Sequence, residues 1–331
     1  MFRWYSASPP DSLPTHCGWR RGLLAAAALV VSTAAIGDPL PLQRVADGVY
    51  VIPGVVAEAS PANRGRVANT GFIVGSDGVV VVDSGANHEH GLAILATVAS
   101  VTAKPVSLLV NTHPHPQNVL GNSAFAERGI PILATAATAE AMRARCPECL
   151  RSLERSIGVG PMLATRIRLP DVVVAGSEVR AAAGRRLRLL HAGHGHTEGD
   201  LAVFDEASAV LFAGDLAYRG QIPHLSESDT AGWQASLRTL GDLPFQVLVP
   251  GRGPVGGPGD LAATEGYLAQ LRQRVHAAYR DGRSVDEAIA QADLPEFSSW
   301  QGYAERHGRN VQHVYFEIER EEFSGRGGER R

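Results

Sequence analysis

The chain has 331 residues, 44% of them hydrophobic, and a formal net charge of −3. This is room for one large domain with appendages or two small ones, with apolar content ordinary for a globular protein. The charge balance gives no basis for nucleic acid or an anionic membrane as partner, since basic residues are scattered apart from Arg-rich ends.

Residues 1–36 read as an export signal rather than as part of a fold. Arg20 and Arg21 precede an apolar core that starts at Leu23 and runs into small residues ending near Ala34. A basic flank, an apolar core and a small-residue end are the parts of a secretory signal. The core is too short for a transmembrane span, so no membrane insertion is expected after cleavage. Twin-arginine and general secretory export both fit. Cys17 precedes the apolar core and is not placed as a lipid anchor. The expected mature start lies near Ala35 to Asp38, and the expected home is the periplasm or the outside.

Residues 37–281 alternate strand and helix patterns. Strands are expected at 49–52, 70–74, 79–82, 106–110, 132–134, 187–191, 201–204, 210–212 and 246–249. Helices are expected at 89–100, 123–128, 136–156, 229–240 and 261–280, the third interrupted near Pro147 because proline cannot donate to the helix. The order argues for a layered α/β fold. Residues 282–331 read as extra helices ending in a polar Gly/Arg/Glu tail expected to be disordered.

Cys146 and Cys149 form Cys-Pro-Glu-Cys. In an oxidising compartment a local disulfide is expected, with free thiols the alternative. No thioredoxin-like βαβ context surrounds the pair to support redox catalysis.

The chemistry concentrates in Val110-Asn-Thr-His-Pro-His-Pro-Gln-Asn118. Its strand ends at His113-Pro-His115, and neutral imidazole is the commonest metal ligand. Alone, such a pair is as well read as a surface feature. Three further strand-ends accompany it: Val79-Val-Val-Val-Asp-Ser-Gly85, Val210-Leu-Phe-Ala-Gly-Asp-Leu216 and Val247-Leu-Val-Pro-Gly-Arg-Gly-Pro254. A loop, Gly195-His-Thr-Glu-Gly-Asp-Leu201, supplies His196. Asp83 is expected to brace the site loop by accepting hydrogen bonds, and Asp200 to be structural. His88 and His90 are expected on the solvated surface. His194 is a candidate neighbour of the site and His224 a candidate substrate contact. His191, His276, His307 and His313 are expected to be structural.

In this order the segments resemble the metallo-β-lactamase superfamily, whose first motif reads His-x-His-x-Asp-His. The resemblance spans roughly residues 44 to 270. Ala68-Asn-Thr-Gly-Phe-Ile-Val74, Gly121-Asn-Ser-Ala-Phe125 and Arg309-Asn-Val311 look most like the periplasmic zinc metallohydrolases that accompany quinoprotein dehydrogenase systems, which implies association with such a system. The implied fold is an αβ/βα sandwich of two mixed sheets with outer helices. The implied first metal site is His113, His115 and His196. At the second site the family's ligand positions read Gln117, Asn118, Asp215 and Arg252, and only Asp215 is a usual ligand. The resemblance therefore implies one zinc ion on His113, His115, His196 and Asp215, with Asp215 handling protons. It implies hydrolysis of a small ester, thioester, lactone or amide, or, as the alternative, an inactive homologue in a binding or accessory role.

Overall fold

The computed structural model describes residues 38–328, and side chains as far as residue 324. The expected export signal and cleavage region, through residue 37, lie outside the described residues.

The first sheet holds seven strands in chain order: β1 (Gln43–Ala46), β2 (Val49–Ile52), β3 (Thr70–Val74), β4 (Val79–Val82), β5 (Val106–Val110), β6 (Ile132–Thr135) and β7 (Val172–Val174). β1 to β4 run antiparallel to their neighbours, and β4 to β7 run parallel. The parallel crossovers carry α1 (His88–Val101), then α2 (Pro116–Val119) with α3 (Asn122–Ala126), then α4 (Ala136–Ile157). The second sheet is ordered β12-β11-β10-β9-β8, from β8 (Glu178–Ala182), β9 (Arg185–Leu190), β10 (Ala202–Asp205), β11 (Val210–Tyr218) and β12 (Val247–Arg252). Only β11 and β12 run parallel in it. Four further helices follow or interrupt it: α5 (Thr230–Gly241), α6 (Pro258–Arg280), α7 (Val285–Gln291) and α8 (Tyr303–Gly328).

Side-chain alternation builds the layers. On β4, Val80 and Val82 join a core with Leu187, Leu189, Val203 and Phe212 of the second sheet. Val79 and Val81 point the other way, onto Ile94 and Val98 of α1 and Phe125 of α3. All four valines are buried, as a strand covered on both faces requires. Each contributes roughly 1.5–3 kcal/mol of apolar burial. The outer face of the second sheet is covered by α5, α6, α7 and α8, around Trp233 and Tyr267. The result is a sandwich of two mixed sheets with helices outside.

Some expectations fail for physical reasons. α4 is continuous through Pro147, because buried Met142 and Cys146 before it and Leu153 and Ile157 after it anchor both halves. β1, β7 and β8 lie outside the expected strands. β7 is only three residues long, and β8, at a sheet edge, buries none of its residues fully. α8 runs to Gly328, so the helix reaches into the tail expected to be disordered. Beyond residue 282, Leu294, Phe297, Val311, Val314 and Ile318 enter the same core as Trp233.

Candidate metal centre

Strand ends supply the site. β5 runs into Thr112 and His113, His115 caps the start of α2, the loop after β9 carries His196, and β11 carries Asp215. Ligand atoms of His113, His115, His196 and Asp215 all lie within 4.8 Å of one another. Nε2 of His196 stands 3.0 Å from Nδ1 of His115. Oδ2 of Asp215 stands 3.7 Å from Nε2 of both His113 and His196.

The network around the imidazoles assigns their protons. The Thr112 hydroxyl has one hydrogen and donates it to Oδ2 of Asp83 at 2.8 Å. Toward Nδ1 of His113, 2.9 Å away, it can therefore only accept. His113 is thus protonated at Nδ1 and presents a lone pair at Nε2. Nδ1 of His196 donates to the carbonyl of His224 at 3.0 Å, which again leaves Nε2 unprotonated. Nε2 of His115 lies 3.8 Å from Oε1 of Glu227, longer than a hydrogen bond, and the carboxylate charge favours the ring proton on that nitrogen. Its Nδ1 then also offers a lone pair.

Three imidazole lone pairs and a carboxylate oxygen thus converge. Nε2 of His113 and Oδ1 of Asp215 are buried with no hydrogen-bond partner. An orphaned imidazole nitrogen of this kind calls for an ion or water at His113 Nε2. Tetrahedral zinc with nitrogen at 2.0–2.1 Å places its ligands about 3.3 Å apart. The observed 3.0 and 3.7 Å separations bracket that value. The four residues could therefore hold a tetrahedral cation. Burial lowers the His113 ring to about 3 and takes His196 well below its ordinary value, so both are neutral.

Outer groups hold these ligands. Asp83 takes φ +62° and accepts from the Thr112 amide, the Thr112 hydroxyl and Nδ2 of Asn118. Burial raises its carboxyl to about 7 against those three donors. Asp83 thereby ties the strand that delivers His113 to α2. Asp200 accepts from the Thr197 amide and hydroxyl and fixes the turn that presents His196. Trp233 lies against the His196 ring, centroids 5.2 Å apart. Gly251 admits Asp215: a Cβ there would stand 2.0 Å from its Oδ1. The C-terminal segment also contributes. Asn310 donates to the carbonyl of Pro223, and Gln301 accepts from the amide of Ile222, pinning the loop whose His224 carbonyl holds His196.

At the altered second-site positions, Asn118 is fully buried and turned to Asp83, and Gln117 is half-buried on α2. Arg252 is buried and its Nε donates to Oδ2 of Asp215 at 3.3 Å. Tyr218, which the sequence did not single out, donates its hydroxyl to the same oxygen at 2.9 Å. Burial alone would raise the Asp215 carboxyl, but Arg252 and the three imidazoles hold it far below the usual range. Glu227 is also new; the His115 ring outweighs burial and, with Arg145, lowers its carboxyl to about 2.

Several histidines depart from expectation. His88 and His90 are buried, not solvated. His90 accepts the Ala86 amide through Nδ1, and His88 meets Ser123. They are covered because Gly91 lets α1 approach Gly121 closely: a Cβ on Gly91 would stand 2.6 Å from its carbonyl. His194 donates to the carbonyl of Glu227 and is not in the ligand group. His224 reaches the site through its backbone carbonyl. Cys146 and Cys149 are thiols, not a bridge. On a helix, side chains three apart hold their Cβ atoms about 5–6 Å apart, wider than a disulfide's roughly 3.8 Å.

Relatives share this frame. A Bacillus metallo-beta-lactamase type 2 is 27% identical over 212 residues, 62% of this chain and 72% of that protein. A Pseudomonas linear primary-alkylsulfatase is 22% identical over 288 residues, of which the chain spans 54% of the relative's length. Among solved structures, a metallo-beta-lactamase from Pontibacter korlensis superposes with a TM-score of 0.58 at 21% identity, covering 70% of this chain and 99% of that one. The DIM-1 metallo-beta-lactamase superposes at 0.57, with 16% identity over 70% of this chain and 98% of its own. Residues 63–252, more than half the chain and the stretch that carries all four converging ligands, match the metallo-beta-lactamase superfamily, and the chain belongs to it.

Proposed function

We propose that the protein is a mononuclear zinc hydrolase acting on a small ester, thioester, lactone or amide in the periplasm. The observation that carries this is the pairing of Arg252 with Asp215 beside three imidazoles whose lone pairs converge. A zinc ion bound there would supply Lewis-acid polarisation and activation of water at neutral pH.

The chain's own groups do the rest. Thr112, the His224 carbonyl and Glu227 keep the three rings in the ligating tautomer. Asp215, ionised and buried, faces the rings through Oδ2, where Tyr218 and Arg252 hold it as a fixed negative charge. The guanidinium of Arg252 stands where a second cation would bind. Two like unit charges about 4 Å apart repel by about 4 kcal/mol at an effective dielectric of about 20, and a dication doubles that repulsion. Gln117 and Asn118, both neutral amides, offset little of it.

A second reading, a binding or accessory homologue in a quinoprotein system, is favoured by Gln117, since an amide cannot serve as a water-orienting base. The named relatives, a β-lactamase and a linear primary-alkylsulfatase, do not share a substrate. The deciding experiment is turnover of the zinc-loaded chain on a panel of esters, thioesters, lactones, β-lactams and linear alkyl sulfates. Hydrolysis that His196→Ala abolishes supports the enzyme. Zinc uptake with no turnover across the panel supports the accessory reading.

A further inference from the structure

Cys146 and Cys149 lie one turn apart on α4. Cys146 is buried and packs with Met142 and Val119; Cys149 is half-buried. Val119 ends α2, the turn whose first cap is His115. Cys149 in turn feels the charges of His115, Glu227 and Arg145. One packing step therefore separates the thiols from a metal ligand. Pro147 stands between the cysteines. It has no N–H, so the turn lacks one hydrogen bond and bends at lower cost there.

We propose that Cys146 and Cys149 are a reversible redox pair whose oxidation to a disulfide bends α4 at Pro147 and, through Val119, loosens the hold on His115. The coupling rests on the metal-site reading above; the redox pair does not. Closing the bridge must draw the Cβ atoms from the helical separation of about 5–6 Å to about 3.8 Å. That work makes the bond strained, and strained disulfides are the easily reduced, regulatory ones. Cys149 is the more accessible sulfur, and the neighbouring Cys146 lowers its thiol, which marks it as the first attacker.

The oxidant is a low-molecular-weight disulfide. The Cys149 thiolate attacks one of its sulfurs; the S–S bond breaks and a first thiolate leaves. Cys146 gives up its proton and attacks the mixed disulfide at the Cys149 sulfur, and a second thiolate leaves. The protein loses two electrons and two protons, and the small disulfide becomes two thiols.

The test poises the purified full chain in mixtures of oxidised and reduced glutathione, traps free thiols by alkylation and reads the mass. The same samples are challenged with a chromogenic zinc chelator. We expect one two-electron transition, absent in Cys149→Ser and in Cys149→Ala. We expect zinc loss about tenfold or more faster from the oxidised chain, the scale seen when groups that hold a ligand are disturbed. In the Cys149 variants, zinc loss should not respond to glutathione. Alkylation located on Cys146 and Cys149 by peptide mass in fully oxidised glutathione overturns the pair. A bridge that forms with unchanged zinc loss overturns the coupling to His115. A chain that takes up no zinc in either state defeats the metal reading and the coupling together, while alkylation still decides the pair.

Discussion

Arg252 and Asp215 meet as a buried ion pair at the centre of the site, with Nε 3.3 Å from Oδ2 and the two side chains 6% and 1% exposed. Removing one partner of such a pair strands the other charge and costs about 3–5 kcal/mol. Arg252→Met should therefore destabilise the metal-free chain by that order, measured by urea denaturation after chelation. Zinc should restore much of the loss, because the ion replaces the guanidinium beside Asp215. Equal destabilisation with and without zinc would mean that the ion does not sit against Asp215.

The same pair leads to a second expectation. Arg252→His alone should add little second-metal affinity, since Gln117 and Asn118 remain poor ligands. Combining Arg252→His, Gln117→Asp and Asn118→His should raise zinc content toward two equivalents by elemental analysis. Asn118→His also removes the amide that donates to Asp83, so the triple variant should lose about 1–3 kcal/mol of stability. A folded triple variant that holds one zinc would show that Arg252 is not the block.

The Thr112 hydroxyl sets the His113 tautomer. Thr112→Val keeps the shape and removes both the donor to Asp83 and the acceptor for Nδ1. Zinc affinity, measured by chelator competition, should fall about 10–100-fold. Thr112→Ser should recover most of it. If the valine variant binds as the parent does, the hydroxyl has no part in holding His113.

Much of this site is legible in the sequence because its chemistry sits in short strings at strand ends. Val79 to Asp83, Val110 to His115 and Val210 to Asp215 each combine an apolar run with the residue it delivers. What cannot be read there depends on contacts between distant segments. Asn118 serves Asp83 across 35 positions, and Asn310 reaches Pro223 across 87. Tyr218 resembles any core tyrosine until β11 brings it over Asp215. His90 lies in the polar string Asn-His-Glu-His, which suggests solvent; its burial follows from the small residues Gly85, Gly91 and Gly121 closing around it. The helical setting of the cysteines disfavours the bridge that their spacing and the expected compartment suggest.

His196 provides the direct check on metal binding. His196→Ala should lower zinc occupancy from about one equivalent to near zero at a chelator excess that leaves the parent loaded, because one of three imidazoles is removed from a four-ligand site. Unchanged occupancy would take His196 out of the site.

His90 gives a pH expectation independent of metal. Burial lowers its ring to about 3 from an ordinary 6.5, and Nδ1 accepts the Ala86 amide, so only the neutral ring fits. Its folded value is depressed below the unfolded one, so the unfolded chain binds the extra proton between them. The contribution to stability is fully present above pH 6.5 and is lost as pH falls toward about 3. His90→Asn can still accept the Ala86 amide but cannot titrate there. In metal-free protein, the slope of unfolding free energy against pH between these limits should flatten by about one proton relative to the parent. Other buried groups that titrate in this range, His113, His196 and His224 among them, contribute equally to both proteins. An unchanged slope in a folded His90→Asn variant would mean that the His90 ring protonates equally in the folded and unfolded chain.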